Sequence, residues 1–273
     1  MTRTRNEAEL KKIARQTRRH IVEMIYKAAS GHPGGSLGAA DILVALYFGE
    51  MNHRPDDPRW PDRDRFVLSK GHISAAYYAV LAQAGYLPVD SLNTFRTLGS
   101  PLQGHPCMLK TRGVDISSGS LGQGLSVGNG MALAARLDGK TYRVYVLMGD
   151  GEVQEGQIWE AAMTAAHYKL DNVCAILDYN NLQIDGKVSS VKEIMPLKDK
   201  WDAFGWNTIE IDGHDFGQIF AALDAARAAK GKPTIIIAHT VKGKGVSYME
   251  NVADYHGKAP DEAGYAKAMA ELS

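Results

Sequence analysis

The chain has 273 residues, 45% hydrophobic and 23% charged, with 31 Lys and Arg against 31 Asp and Glu. That is the size of one large domain or two small ones, and the neutral balance argues against a nucleic-acid binder relying on bulk positive charge. Two cysteines, Cys107 and Cys174, are too few for a disulfide framework and point to a reducing compartment. The longest apolar runs, such as 144–148 and 235–238, fall far below the roughly 20 residues of a membrane span. The charged start, 1–12, lacks the apolar stretch of a secretion signal. A soluble, cytoplasmic α/β protein is expected, with no nucleic acid or membrane among its partners.

In chain order, 6–30 carries Leu10, Ile13, Ile21, Ile25 and Tyr26 at helical spacing and predicts a long amphipathic helix. Seven Lys and Arg precede His20; they read as a solvated helix face. A second helix is expected over 37–50, a short buried strand over 66–69, and a helix over 74–84 that Gly85 would cap. The Ala- and Gly-rich stretch 121–137 predicts a helix small-sided enough to pack closely. Strands at 144–148, 173–178, 206–211 and 234–238 then alternate with helices at 157–167 and 216–229, and 261–273 reads as a last short helix. This alternation predicts βαβ units, that is, a mostly parallel sheet with helices on both faces. Ligands of such sheets sit beyond the carboxyl ends of the strands. The segments 149–151, 178–181 and 239–245 all fall there.

The 28 glycines cluster, as in 31–35, 119–124, 149–151 and 243–245, which suggests a ligand held largely by loops. Gly149-Asp150-Gly151 ends one predicted strand, and Asn180, thirty residues beyond Asp150, ends the next. Neighbouring parallel strands would bring the two ends together. The Asp150 carboxylate, the Asn180 amide oxygen and the Leu182 main-chain carbonyl would then offer three oxygens with one formal charge. Such a set suits Mg²⁺ shared with phosphate oxygens and water. The glycines would let the main chain approach the phosphates, and the helix from Gln157 would point its amino end at them. Taken singly, Gly-Asp-Gly is common turn chemistry; the paired positions at two strand ends favour a joint site.

The interval from Gly-Asp-Gly to Asn180 resembles the thiamine diphosphate signature. The segments Ser30-Gly31-His32-Pro33-Gly34-Gly35, Ser69-Lys70-Gly71-His72, Gly104-His105-Pro106 and Gly119-Ser120-Leu121-Gly122-Gln123-Gly124 resemble, in their order, the amino-terminal region of transketolases, as do 152–156 and 182–186. The resemblance spans roughly 10–262. It implies a thiamine diphosphate-binding fold, with 1–273 forming a single domain for the diphosphate and metal. It implies that Asp150, Asn180 and the Leu182 carbonyl hold Mg²⁺, replaceable by Ca²⁺ or Mn²⁺, and that the Gly151 N–H, after Gly149, meets a phosphate. His72 and His256 would contact the diphosphate and reacting centre, and His32 and His105 the sugar hydroxyls and carbonyl. Such imidazoles donate to a developing alkoxide or shuttle protons near neutral pH. His20, His53, His167, His214 and His239 keep ordinary surface or core roles. Gly119, Leu121, Ile184 and Val241 would border the cofactor. Glu155 would lie near a subunit interface, although a carboxylate at a helix start explains it equally well. The basic stretch 241–245 departs from the long transketolases and is closer to split enzymes and the deoxyxylulose-phosphate synthase branch; Lys244 is a candidate phosphate contact.

The activity implied is transfer of a two-carbon ketol unit between sugar phosphates. The glutamate that activates the cofactor, the aromatic pocket for its pyrimidine and the arginines that grip substrate phosphate have no match in this sequence. A split transketolase is therefore expected, whose carboxy-terminal subunit supplies those parts in an α2β2 assembly. Rival readings are another thiamine diphosphate-dependent transferase or synthase on a different sugar, and a non-catalytic relative. A dinucleotide oxidoreductase is disfavoured, since no Gly-x-Gly-x-x-Gly follows the first strand of a βαβ unit.

Overall fold

The computed structural model describes residues 3–273. A parallel sheet forms the centre, in the order β1-β2-β3-β7-β6, from β1 (Arg65–Leu68), β2 (Val144–Gly149), β3 (Val173–Tyr179), β6 (Asn207–Asp212) and β7 (Thr234–His239). A small antiparallel hairpin, β4 (Leu182–Gln183) with β5 (Gly186–Lys187), follows β3. Strands buried on both faces read as continuous apolar runs, and β2 and β3 do so. Tyr145, Leu147, Cys174, Ile176 and Ile236 face one core; Val144, Val146, Met148, Val173, Ala175, Leu177 and Ile235 face the other.

The first core is covered by α1 (Glu7–Ala28), α2 (Pro33–Gly38), α3 (Ala40–Val44), α4 (Ser74–Gln83) and α9 (Phe216–Ala228), with α10 (Glu262–Glu271) against α1. The second is covered by α5 (Gly124–Leu137), α6 (Gly156–His167) and α8 (Leu197–Ala203). A short α7 (Val188–Val191) follows β5. Helices on both faces of a parallel sheet match the sequence expectation.

Differences from the expected elements have local causes. Asn6 caps α1 by accepting the Glu9 N–H at 3.1 Å. Arg18, however, is not on the solvated face of α1: it is buried and paired with Asp41. The expected helix 37–50 starts at Pro33, favoured at a first helical position, breaks at Ala39 and ends in a wider π turn over Ala45–Glu50. The expected helix from 121 starts at Gly124, because Gly122 takes φ +85° and leaves its N–H pointing to Glu152. At Gly128 a Cβ would come within 2.6 Å of Val146 Cγ2, so glycine there permits α5 to lie close on β2. Cys174 is buried in β3, whereas Cys107 is half-buried in a loop.

Candidate cofactor site

The carboxyl ends of β2 and β3 lie in register, with Gly149 opposite Asp178. The thirty-residue interval therefore brings Asp150 against Asn180. Asp150 Oδ2 accepts the N–H groups of Asn180 and Asn181 at 2.9 and 2.5 Å, and Oδ1 accepts the Gly151 N–H at 2.7 Å. The Gly151 N–H thus points to its neighbouring carboxylate, where a phosphate contact was expected. Asn180 Oδ1 accepts the Leu182 N–H at 3.1 Å, and the Leu182 carbonyl accepts Lys242 Nζ at 3.0 Å.

These contacts leave free acceptor capacity. A carboxylate offers about four lone-pair directions and a carbonyl two, so Asp150, Asn180 and Leu182 each retain one. Among the described residues no group of three or more His, Cys, Asp or Glu is placed to hold a metal ion. A metal here would therefore depend on this mixed oxygen set with one formal charge, which suits a hard cation that keeps phosphate and water ligands.

Behind the oxygens lies a cavity of about 300 Å³, lined on the same side by Lys70, Lys242 and four histidines. His32 lies 5.2, 6.5 and 5.3 Å from the ring centres of His72, His105 and His256, and His72 stacks on His256 at 5.2 Å. Burial, then Arg96, His105 and Lys242, push His32 down to about 4. Burial, then Lys242, His32 and Lys70, push His256 to about 3. His72 is held well below the ordinary range by burial and then Lys70, and His105 is lowered by burial and Arg96. These imidazoles are neutral near pH 7, each with one N–H to donate. Lys242 Nζ lies 2.9 Å from His256 Nδ1. An ammonium has no acceptor, so Nδ1 accepts and the proton of His256 sits on Nε2. His32 Nδ1 is buried with no partner among the described residues.

Two acids anchor this basic wall. Lys70 Nζ donates to the fully buried Asp178 at 2.5 Å, and the Thr240 hydroxyl also donates to Asp178. Burial pushes Asp178 up, but Lys70 and Thr240 outweigh it and hold the carboxyl below its usual range. Glu152 accepts from the Ser69 hydroxyl, from the Gly122 N–H at 2.9 Å and from the Gly149 N–H at 3.0 Å. One buried carboxylate thereby joins the ends of β1 and β2 to the loop before α5. Asp150 is pushed up to about 6 by burial and then Asp178, against the pull of Lys70 and its N–H donors. Lys242 is pushed down to about 8 by burial and the charge of Lys70.

Of the residues singled out in the sequence, His32, His72, His105, His256, Gly119, Leu121, Gly149, Asp150, Gly151, Asn180, Leu182 and Ile184 all line this cavity. Glu155 and Val241 do not. Glu155 is exposed at the N-cap of α6, with its Cβ near Gly122, and Val241 gives its N–H to His214. Lys244 also lies off the lining, which takes Lys242 instead. Lys70, Lys242, Glu152, Gln154 and Gln183 line it without having been assigned roles from sequence. For Lys70 the available signal was its place between Ser69 and His72 in one of the matched motifs; for Lys242 only the basic run itself was a signal.

The family described as "Transketolase, thiamine diphosphate binding domain" matches residues 10–272. The chain is 45% identical over 266 residues to the 6-deoxy-6-sulfo-D-fructose transketolase subunit of Clostridium sp. strain MSTE9, covering 97% of each chain. It is 45% identical to an apulose-4-phosphate transketolase subunit of Phocaeicola vulgatus, covering 94% of this chain and 92% of that one. The solved transketolase of Campylobacter jejuni superposes with a TM-score of 0.93 at 38% identity, over 98% of this chain and 43% of that one. The chain thus spans less than half of the solved transketolases it matches, and nearly the whole of the two relatives whose names call them subunits. It belongs to the transketolase thiamine diphosphate-binding domain family.

Proposed function

We propose that the chain, as a single domain over 1–273, holds the diphosphate end of thiamine diphosphate together with a divalent cation. It then serves as one subunit of a two-chain transketolase, moving a two-carbon ketol unit from a ketose to an aldose. The observation that carries this reading is the convergence of four neutral histidines, two lysines and the Asp150–Asn180–Leu182 oxygens on one cavity. A single-carboxylate oxygen set is what Mg²⁺ shared with a diphosphate calls for, and Ca²⁺ or Mn²⁺ fits the same donors. Lys70 and Lys242 supply the opposing positive charge.

When bound, thiamine diphosphate supplies the electron sink for the carbanion formed as the ketose is cleaved. The protein's part is orientation and proton management. His72 and His256 lie beside the lysines and hold the diphosphate side; the Nε2 proton of His256 is the one it can donate. His32 and His105 offer N–H groups to sugar oxygens. Leu121 and Ile184, 37% and 70% exposed, offer apolar contact on the lining.

A carboxy-terminal transketolase subunit would cover those exposed side chains and contribute the pyrimidine side, in an α2β2 assembly. Support comes from the two relatives of matching length, both named as subunits. Their named sugars carry a sulfo group and a phosphate, so we place the substrates among anionic sugars of carbohydrate metabolism of the pentose phosphate type. We place the chain in the cytoplasm; among the described residues no helix is long and apolar enough to cross a membrane. The test is to mix the chain with its carboxy-terminal partner, then assay a panel of anionic ketose donors and aldose acceptors. Transfer that requires both chains, thiamine diphosphate and Mg²⁺ is expected. Full transfer by this chain alone would overturn the two-chain reading.

A further inference from the structure

Behind the basic turn that carries Lys242, away from the cavity, lies a buried chain of three side chains from three separate elements. Arg18 of α1 grips Asp41 of α3 with two N–H groups, at 2.6 and 3.1 Å, and its Nε donates to the Leu37 carbonyl at 3.2 Å. The other contact of Asp41 is His214, in the turn after β6, whose Nδ1 lies 2.7 Å from Asp41 Oδ2. On the far edge of the ring, Nε2 lies 2.9 Å from the Val241 backbone nitrogen. A backbone N–H can only donate, so Nε2 is the unprotonated nitrogen. The ring proton is then on Nδ1 and is given to Asp41. Arg18, Asp41 and His214 side chains are only 10%, 8% and 13% exposed.

The turn that this ring grips is packed tightly on its other sides. The Gly243 N–H donates to the Gly34 carbonyl at 2.8 Å. A Cβ at Gly38 would stand 3.0 Å from the Val241 carbonyl, and one at Gly213 would stand 2.6 Å from Thr240 Cγ2. Between the two main-chain contacts at Val241 and Gly243 lies Lys242, whose side chain enters the cavity. None of Arg18, Asp41 and His214 lines that cavity.

We propose that His214 is a positioning residue: oriented by the Arg18–Asp41 pair, its Nε2 holds the Val241 N–H and so aims Lys242 at the cofactor side of the cavity. The proposal rests on the reading that Lys242 faces a diphosphate, which is tested separately below. Outer contacts of this kind typically alter ligand affinity by about 10–100-fold when removed.

The experiment compares His214→Phe, which keeps the ring and loses both nitrogens, with His214→Gln, whose amide oxygen can still accept the Val241 N–H. Hydrogen exchange of the full chain without cofactor reports on the turn directly. In H214F, exchange over 240–256 is expected to rise about tenfold, while α6 and β3 keep wild-type protection; H214Q should recover most of the protection. Titration with thiamine diphosphate and Mg²⁺ should show about tenfold weaker binding for H214F and recovery in H214Q. Adding H214F to K242M should weaken binding no further, because both act through one side chain. Wild-type exchange over 240–256 in H214F, or additive losses in the double variant, would overturn the proposal. If the wild-type chain shows no saturable binding of thiamine diphosphate, the reading of the cavity fails instead, and the exchange measurement still decides the role of His214.

Discussion

Lys242 Nζ stands 2.9 Å from His256 Nδ1 and 3.0 Å from the Leu182 carbonyl. One buried cation thus joins the turn after β7 to the oxygen set after β3 and fixes the tautomer of a histidine on the same wall. Its ammonium is held there against desolvation and the charge of Lys70, an arrangement that costs stability until an anion arrives. Lys242→Met should therefore raise the melting temperature of the cofactor-free chain. It should weaken thiamine diphosphate binding by about 1.5–3 kcal/mol, the range for a hydrogen bond to a charged group, which is about ten- to a hundredfold. Thermal unfolding and cofactor titration read the two effects. Unchanged affinity would remove Lys242 from the diphosphate site.

Asp150 carries the only formal negative charge of the three-oxygen set. Asp150→Asn keeps one oxygen for the N–H groups of Asn180 and Asn181 but removes that charge. The cavity should survive while Mg²⁺-dependent retention of thiamine diphosphate falls by more than about tenfold. Calorimetric titration of Mg²⁺ in the presence of thiamine diphosphate measures it. A wild-type response to Mg²⁺ would remove Asp150 as a ligand.

The parts of the site legible in the sequence are those fixed by strand periodicity. Asp150 and Asn180 had to meet because adjacent parallel strands end at one level, and Gly149 is indeed opposite Asp178. His32, His72 and His105 were legible because each sits in a glycine-bearing motif, whereas His256 lies outside those motifs, in the stretch that departs from the long transketolases. What stayed hidden depends on long-range contacts. Nothing in Lys242-Gly243-Lys244 says which lysine faces inward; that is decided by the grip of His214 on Val241 and of Gly34 on Gly243. Arg18 sits in a run of basic residues and reads as solvated, yet its partner Asp41 is on another helix. Glu152 and Glu155 share one short segment, and only the turn at 151–154 determines that Glu152 goes inside.

The Lys70–Asp178 pair is almost completely buried, 3% and 0% exposed. Removing one member of such a pair strands the other charge and typically costs about 3–5 kcal/mol. Lys70→Met and Asp178→Asn should each lower stability to urea by that order. The double variant should cost clearly less than the sum, because neither charge is then left alone. Strictly additive losses would mean that the two side chains act independently.

His72 supplies a pH dependence whose sign is fixed. Burial, then Lys70, keeps its folded-state value well below 6.5, whereas in the unfolded chain it titrates near 6.5. Above 6.5 both states hold it neutral and the full stability is present. As pH falls below 6.5 the unfolded state takes up a proton that the folded state refuses, so stability is lost. His32 and His256, lowered to about 4 and about 3, act in the same direction. Asp150 opposes them: its raised value, about 6, lets the folded state bind a proton earlier than the unfolded one. His20, His53 and His105 are lowered too, and Asp64 and Glu152 are raised with Asp150; six histidines against three carboxylates leave a net loss between pH 6.5 and 5. His72→Asn removes one of the lowered histidines, so its stability should fall less steeply there, by up to about 1.4 kcal/mol per pH unit. Urea unfolding at pH 7, 6 and 5 measures both slopes, and identical slopes would show that His72 is protonated in the folded chain.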